Sequence, residues 1–428
     1  MSDSPLTRDL YYQIPSLQHF VNRIVDDLAE GRNALILFPA GISSDDIWPP
    51  LRSLLWYRDF DFKEVQLGHL GIDISPISFL ASVIGFQWQD NNVPRTATYL
   101  SENAKQAPNL VYLDGFDELE LSDRQKWLRF LVEWARASHS AADRGQRPMA
   151  LCIIAEAREI LEFIPTTDIY LGIYWWWGFP SALEMKLLCR YVADGRDSPM
   201  ISRWKEHLLP VLVGSDLGLA KHLWEAFPLD TDKIIRKLRD YSDEQGWDAQ
   251  FVKELGSSDL RLWPIDPYAQ CLSEPSEGLR RLWAYGLVSF TPEYGLQLNS
   301  SALLVLGQKQ EVLHRIWRGQ AELLLPILDQ TRLTICNELT RKYGGNWPYR
   351  WIKPNAAEEE EAVKKDPLAC QFGHLEYLLR TCRHLKPQRA WLQTIKCARL
   401  MRNELAHYRP VDFRDFRKLV EAVQILGC

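Results

Sequence analysis

A chain of 428 residues is long enough for two to four domains, each burying its own core. Its net charge of −6 and isoelectric point near 5.9 exclude a general nucleic-acid coat, so any RNA contact must rest on a local basic patch. The cysteines, Cys152, Cys189, Cys271, Cys336, Cys370, Cys382, Cys397 and Cys428, form no C-x-x-C pair and no zinc spacing, which predicts reduced core thiols and no metal site. Residues 16–30 carry Leu17, Phe20, Val21, Ile24, Val25 and Leu28 at helical spacing, with Gly31-Arg32-Asn33 ending the helix. The apolar run 34–38 (ALILF) then suits a buried parallel strand. Further strands are expected at 65–70, 110–119, 150–155 and 169–175, and helices at 76–86, 97–105 and 124–138. Strands alternating with helices predict a parallel sheet. Seventeen tryptophans are read as core and interface fillers, among them the run Trp175–Trp177.

Two points at strand ends bear on chemistry. LDGFDEL puts Asp114 at the end of an apolar strand, with Asp117 and Glu118 following. The D-G-x-D-E-L form resembles the STAND branch of the AAA+-related P-loop NTPases. By that resemblance Asp114 stands where an aspartate would hold Mg²⁺, and Glu118 where an acid would activate water. The first strand, however, is followed by Pro39, Gly41, Ser44, Asp45 and Asp46. A phosphate loop needs G-x-x-x-x-G-K-[ST], whose glycines let backbone N–H groups wrap phosphates and whose lysine reaches their oxygens. Pro39, Ser44, Asp45 and Asp46 occupy those four defining positions, and two aspartates repel a triphosphate. The expectation is a degenerate nucleotide site (Gly41, Asp114, Asp117, Glu118) without ordinary ATP hydrolysis and with no cofactor. Its acids are either a remnant or a structural contact.

Residues 181–240 switch to helical periodicity, as in the small lid that follows the core of such proteins. Residues 279–306 read as a short helix, strands at 287–291 and 296–299, and another helix, which resembles a winged-helix domain. With only Arg280 and Arg281 nearby, against Glu277 and Glu293, it lacks the cations of a DNA-reading wing, and an intramolecular or protein-contact role is expected. Residues 313–341 are expected to form a long apolar-faced helix that Pro326 should kink. The charged stretch 355–366 (NAAEEEEAVKKD) reads as a loop.

The strongest signal is MRNELAHYRP, 401–410. Arg402, Asn403 and His407 combine a planar cation suited to phosphate, an amide able to orient an oxygen, and an imidazole able to move protons near neutrality. Together they suit metal-free RNA cleavage to a 2′,3′-cyclic phosphate and a 5′-OH. At about 100° per residue, Arg402 and His407 lie about 140° apart on a straight helix. Either the helix ends near His407, which Pro410 favours, or a second copy of the chain completes the site. RNELAH resembles the Rx4-6H motif of HEPN ribonucleases, and the likeness extends less specifically over 307–428. It implies a helical bundle, usually a homodimer, that cuts tRNA or mRNA in prokaryotic antiphage defence. His407 would be the base, Arg402 the transition-state cation and Asn403 the positioning group, while Glu404 tunes His407 or pairs with a basic neighbour. A basic stretch from Arg380 through Arg383, His384, Lys386, Arg389, Lys396, Arg399 and Arg402 to Arg409, interleaved with Trp391 and Tyr408, is the candidate RNA patch.

The expected fold class is therefore α/β plus α. Residues 1–178 are the NTPase-like sheet, 179–255 a helical lid, 256–306 a winged helix and 307–428 a HEPN bundle. The function expected is an endoribonuclease positioned by a degenerate platform. The alternative is a non-catalytic scaffold that docks a partner ATPase or other defence-complex subunits, with the bundle as dimerisation or RNA-binding module. With no apolar run near 18 residues and no leader at its start, the chain is expected to be soluble, cytoplasmic and without a membrane partner.

Overall fold

The computed structural model describes residues 14–68, 74–88, 94–104, 107–143, 149–192, 198–224, 226–228, 230–256, 274–351 and 357–424. Cys271, Cys428 and part of the 256–306 segment lie outside them. The first half runs α1 (Pro15–Ala29), β1 (Asn33–Phe38), α2 (Ser44–Tyr57), β2 (Phe62–Gln66), α3 (Pro76–Val83), α4 (Ala97–Asn103), β3 (Leu110–Asp114), α5 (Leu121–Asp143), β4 (Ala150–Glu156) and β5 (Leu171–Trp175). Helices α6 (Ala182–Val192), α7 (Pro199–Val213), α8 (Leu217–Trp224), α9 (Thr231–Glu244), α10 (Ala249–Glu254) and α11 (Glu277–Ala284) follow. A hairpin of β6 (Val288–Thr291) and β7 (Gly295–Leu298) comes next. Then come α12 (Ser300–Val305), α13 (Lys309–Tyr343), α14 (Trp347–Trp351), α15 (Ala357–Lys365), α16 (Phe372–Thr381), α17 (Leu392–Ala406) and α18 (Phe413–Gln424).

The chain forms two compact units. One comprises Met1–Val192, Val213–Lys221 and Asp248–Ala302; the other comprises Ala193–Leu212, His222–Trp247 and Leu303–Cys428.

In the first unit the expected parallel sheet is present, in the order β2-β3-β4-β1-β5. β1 is buried along its whole length, whereas the edge strand β2 exposes Lys63 and Glu64, the charges that keep an edge from pairing with another chain. Buried Asn33 joins three elements: its amide N–H₂ donates to Ser138 Oγ and the Tyr170 carbonyl, and its oxygen accepts from Leu151 N–H. The tryptophan run is core. Trp175 and Trp176 are 3% exposed and Trp177 7%. Trp175 packs on Trp283, Trp177 stacks on Phe290, and Trp283 Nε1 donates to the Trp176 carbonyl at 3.0 Å. Glu293, in the hairpin turn, accepts from Ala182 N–H and Leu183 N–H at the start of α6. The carboxylate thus caps a helix and holds the hairpin to its own unit.

In the second unit α13 runs unbroken through Pro326, with Ile316, Leu324, Leu328, Ile335 and Leu339 buried. Trp204, fully buried, stacks on Phe416 at 5.1 Å. Residues 357–365, read from sequence as part of a loop, are helix α15. Alanine, glutamate and lysine are strong helix formers, a Lys365–Glu361 pair at i,i+4 supports them, and Val363 is buried. Low apolar content misled the reading because one buried valine suffices for a two-turn helix.

α7 and α13 touch at Gly319, where a Cβ would lie 2.4 Å from the His207 carbonyl oxygen. Gly319→Ala should therefore destabilise the unit by about 1–3 kcal/mol, outweighing alanine's helix-propensity gain of about 1 kcal/mol. A urea midpoint at or above that of the parent would refute the close approach.

Candidate functional site

Helix α17 ends at Ala406, just before His407, one of the two arrangements that the RNELAH spacing allows. Its buried face is Thr394, Ile395, Ala398, Met401 and Leu405, and His407 is the C-cap at φ −101°. Arg402 and His407 are exposed and Asn403 is half-buried. Among the described residues no hydrogen bond or ion pair engages the Arg402 guanidinium or the His407 imidazole, and none joins the two. The structure therefore brings all three groups to one helix end but does not converge Arg402 and His407 into direct contact.

The helix end itself is tightly made. Tyr408 N–H donates to the Leu405 carbonyl and Arg409 N–H to the Glu404 carbonyl, the paired bonds of a Schellman ending. The side chains of Glu404 and Arg409 add an ion pair with contacts of 2.7 and 2.9 Å. Glu404 thus pairs with a basic neighbour rather than with His407. Helix α13 fixes the same turn. Trp317 Nε1 donates to the Leu405 carbonyl at 2.8 Å, and buried Gln320 exchanges two 2.7 Å hydrogen bonds with the Val411 backbone.

The candidate RNA patch divides. Arg380 and Arg399 both clamp buried Glu376: Arg380 pairs with it within α16, and Arg399, at 2.8 Å, ties α17 to α16. Arg409 is engaged by Glu404. Arg402 and Arg383 face solvent and Lys396 is half-buried; the side chains of Lys386 and Arg389 lie outside the described residues. A sequence count of cations could not separate those used as internal clamps from those left to a ligand.

The residues expected to form a degenerate nucleotide site lie in the other unit. Ser43 caps α2, and its N–H and Oγ both face Asp46 Oδ2, at 3.1 and 3.2 Å. Asp46 is 6% exposed, and its other oxygen holds Lys221 Nζ at 2.7 Å. The positive end of a helix, where a phosphate loop receives its anion, is here filled by the chain's own carboxylate and balanced by its own lysine. Loop amides are spent as well: Ala40 N–H donates to the Ala284 carbonyl and Ile42 N–H to the Pro39 carbonyl. Gly41 turns this loop at φ 90°. The cleft beside it, lined by Pro39, Ala40, Trp176, Trp177, Asp216 and Trp283, has a free volume of about 20 Å³, little more than one water molecule.

Asp114, Asp117 and Glu118 turn to different neighbours. Asp114 accepts from Tyr112 Oη–H and Gly115 N–H, and Trp48 lies stacked on Tyr112 at 3.7 Å. Glu118 is exposed, with its Oε2 over Gly68. Asp117 turns to the end of β4 and accepts from Glu156 N–H at 3.0 Å. Among the described residues no cluster of three histidines, cysteines or acids could hold a metal ion, and no helix is long and apolar enough to cross a membrane. Lys221 gave no sequence signal, standing 175 residues from its partner.

Burial pushes the Asp117 carboxyl up to about 6; the Glu156 N–H bond and Arg124 oppose this, and the Glu156 and Glu159 carboxylates add to it. Glu156 is raised by burial too, against Arg158. A folded-state value above the unfolded one means the native state binds the proton more tightly. The Asp117 contribution to stability is therefore full below about pH 4 and lost as pH rises through about 6. Asp117→Asn should gain on the parent in urea midpoint between pH 4 and pH 7, and parallel pH profiles would refute the assignment.

No family model matches the chain, and no curated protein matches it. Among solved structures it matches a chain in the structure of Drosophila ORC bound to DNA, with 14% identity over 97% of this chain and 73% of that one. The TM-score of that match, 0.28, is too low to carry an argument about fold or function.

Proposed function

We propose that this protein is a HEPN-type endoribonuclease whose reaction is carried by Arg402, Asn403 and His407 at the end of α17, beside a nucleotide-binding fold that has lost its nucleotide. The observation that supports it best is the division of labour among the charges. Arg380 and Arg399 are bound to Glu376 and Arg409 to Glu404, while Arg402 and His407, like Arg383, are left exposed and uncommitted among the described residues. In this reading His407 takes the proton of the 2′-OH, whose oxygen attacks the adjacent phosphorus. Arg402 stabilises the extra negative charge on the phosphorane, and Asn403 holds a phosphate or ribose oxygen. The P–O5′ bond breaks, a proton goes to the leaving 5′-oxygen, and the products are a 2′,3′-cyclic phosphate and a 5′-OH.

In the same reading 1–178 is an NTPase-like domain of STAND or AAA+ type, 179–255 its lid, 256–306 a winged helix and 307–428 the ribonuclease bundle, acting on tRNA or mRNA in antiphage defence. Incubating the protein with RNA in EDTA, followed by end-group analysis, tests the proposal. Ends other than 2′,3′-cyclic phosphate, or no cleavage with any RNA or partner, would sink it. The internal filling of the phosphate position by Asp46 and Lys221 favours a second reading for the other unit, as a docking platform for an ATPase or other complex subunit.

A further inference from the structure

We infer that the ring of Tyr408 is a stacking surface for a nucleobase of single-stranded RNA, set beside the phosphate that is cut. This rests on the ribonuclease reading and adds to it how the strand is held.

Three independent features converge on Tyr408. First, it occupies the position just past the C-cap of a Schellman ending, where the backbone is left-handed at φ 57°. Glycine is the usual occupant there because a side chain in that conformation costs about 1–2 kcal/mol. A bulky aromatic at this site weakens the helix end, and such costs persist mainly where function uses them.

Second, the ring is presented rather than buried. It is 65% exposed, and the residue next to it in sequence is the imidazole assigned as base. Third, it is backed by other rings. Trp317 lies 4.8 Å from Tyr408 and is stacked at 5.0 Å on His314, which is itself 6.3 Å from Tyr408. Trp317 is pinned by its N–H bond to the Leu405 carbonyl, so the support under Tyr408 belongs to the frame of the helix end. The usual apolar contact of this helix ending, between the residues three before and two after the cap, is replaced by the Glu404–Arg409 ion pair. The end of α17 therefore offers an exposed ring next in sequence to His407, on the same helix end as the exposed guanidinium of Arg402. Single-stranded nucleic acid is bound by this combination of base on ring and phosphate on cation.

The test uses the full chain carrying His407→Ala, so that RNA is bound without being cut. The probe is a short single-stranded oligoribonucleotide of mixed sequence, with the same sequence as a duplex for comparison. Tyr408→Gly removes the ring while easing the backbone, so its urea midpoint should equal or exceed that of the parent. Its affinity for the single strand should nonetheless fall roughly 5- to 100-fold, the worth of one base stack, with the duplex affected far less. Tyr408→Phe should bind as the parent does. Equal single-strand affinity for Tyr408→Gly and parent overturns the stacking surface and leaves the ribonuclease reading standing. A loss in Tyr408→Phe as large as in Tyr408→Gly overturns it as well, since the hydroxyl would then be the contact. Failure of all versions to bind RNA overturns both.

Discussion

His407→Ala should lower RNA cleavage by about 10²–10⁴-fold, the usual worth of a positioned general base, without changing the stability of the protein. The second half of that expectation follows from exposure. The imidazole is exposed and makes no hydrogen bond, ion pair or ring contact among the described residues, so its removal should leave stability within about 0.5 kcal/mol of the parent. Arg402→Ala should cost about 10²–10³-fold through loss of charge stabilisation, and Arg402→Lys should recover only part, because an ammonium lacks the planar fork. Glu404→Ala acts differently: it releases the Arg409 clamp and should reduce activity modestly while loosening the helix end.

The arrangement of Arg402 and His407 also makes a mixing experiment decisive. The two lie about 140° apart around an ideal helix, and no bond joins them in one chain. If two copies share a site, mixing inactive Arg402→Ala with inactive His407→Ala should restore part of the activity. A mixture as silent as its components would assign both groups to one chain. Activity that survives His407→Ala in full would remove the imidazole from the mechanism.

Lys221→Met should destabilise the first unit by about 1–3 kcal/mol. The Asp46 side chain is 7% exposed and Lys221 26%, so cutting the pair leaves a nearly buried carboxylate facing only the cap of α2. Breaking a fully buried pair costs about 3–5 kcal/mol; the partial exposure of Lys221 reduces the figure. Asp46→Asn keeps an acceptor for Ser43 N–H while removing the charge. Combined with Lys221→Met it should therefore recover much of the loss, a coupling that a double-mutant cycle in urea reads directly. Additive losses would mean that the lysine acts through packing alone. Neither replacement should create nucleotide binding, because the Ala40 and Ile42 amides remain spent on backbone carbonyls and the adjacent cleft holds little more than one water molecule.

The sequence by itself determined the local elements, because their signals are local. The run 34–38 is a buried strand since every residue is apolar, and α1 packs the face predicted by its spacing. That Asp45 and Asp46 stand where a phosphate loop would carry lysine and hydroxyl was legible in the sequence, and the motif helix ends beside His407, one of the two outcomes its spacing allowed. Composition was the weaker guide: in 357–365 it indicated a loop where helix propensity and one buried valine give a helix. Only the tertiary structure decided which charges are spoken for. Whether Arg399 clamps Glu376, Glu404 holds Arg409, or Lys221 reaches Asp46 depends on chain segments brought together by packing, some far apart in sequence. A buried carboxylate must find a partner wherever the fold supplies one, and no local pattern states where that is.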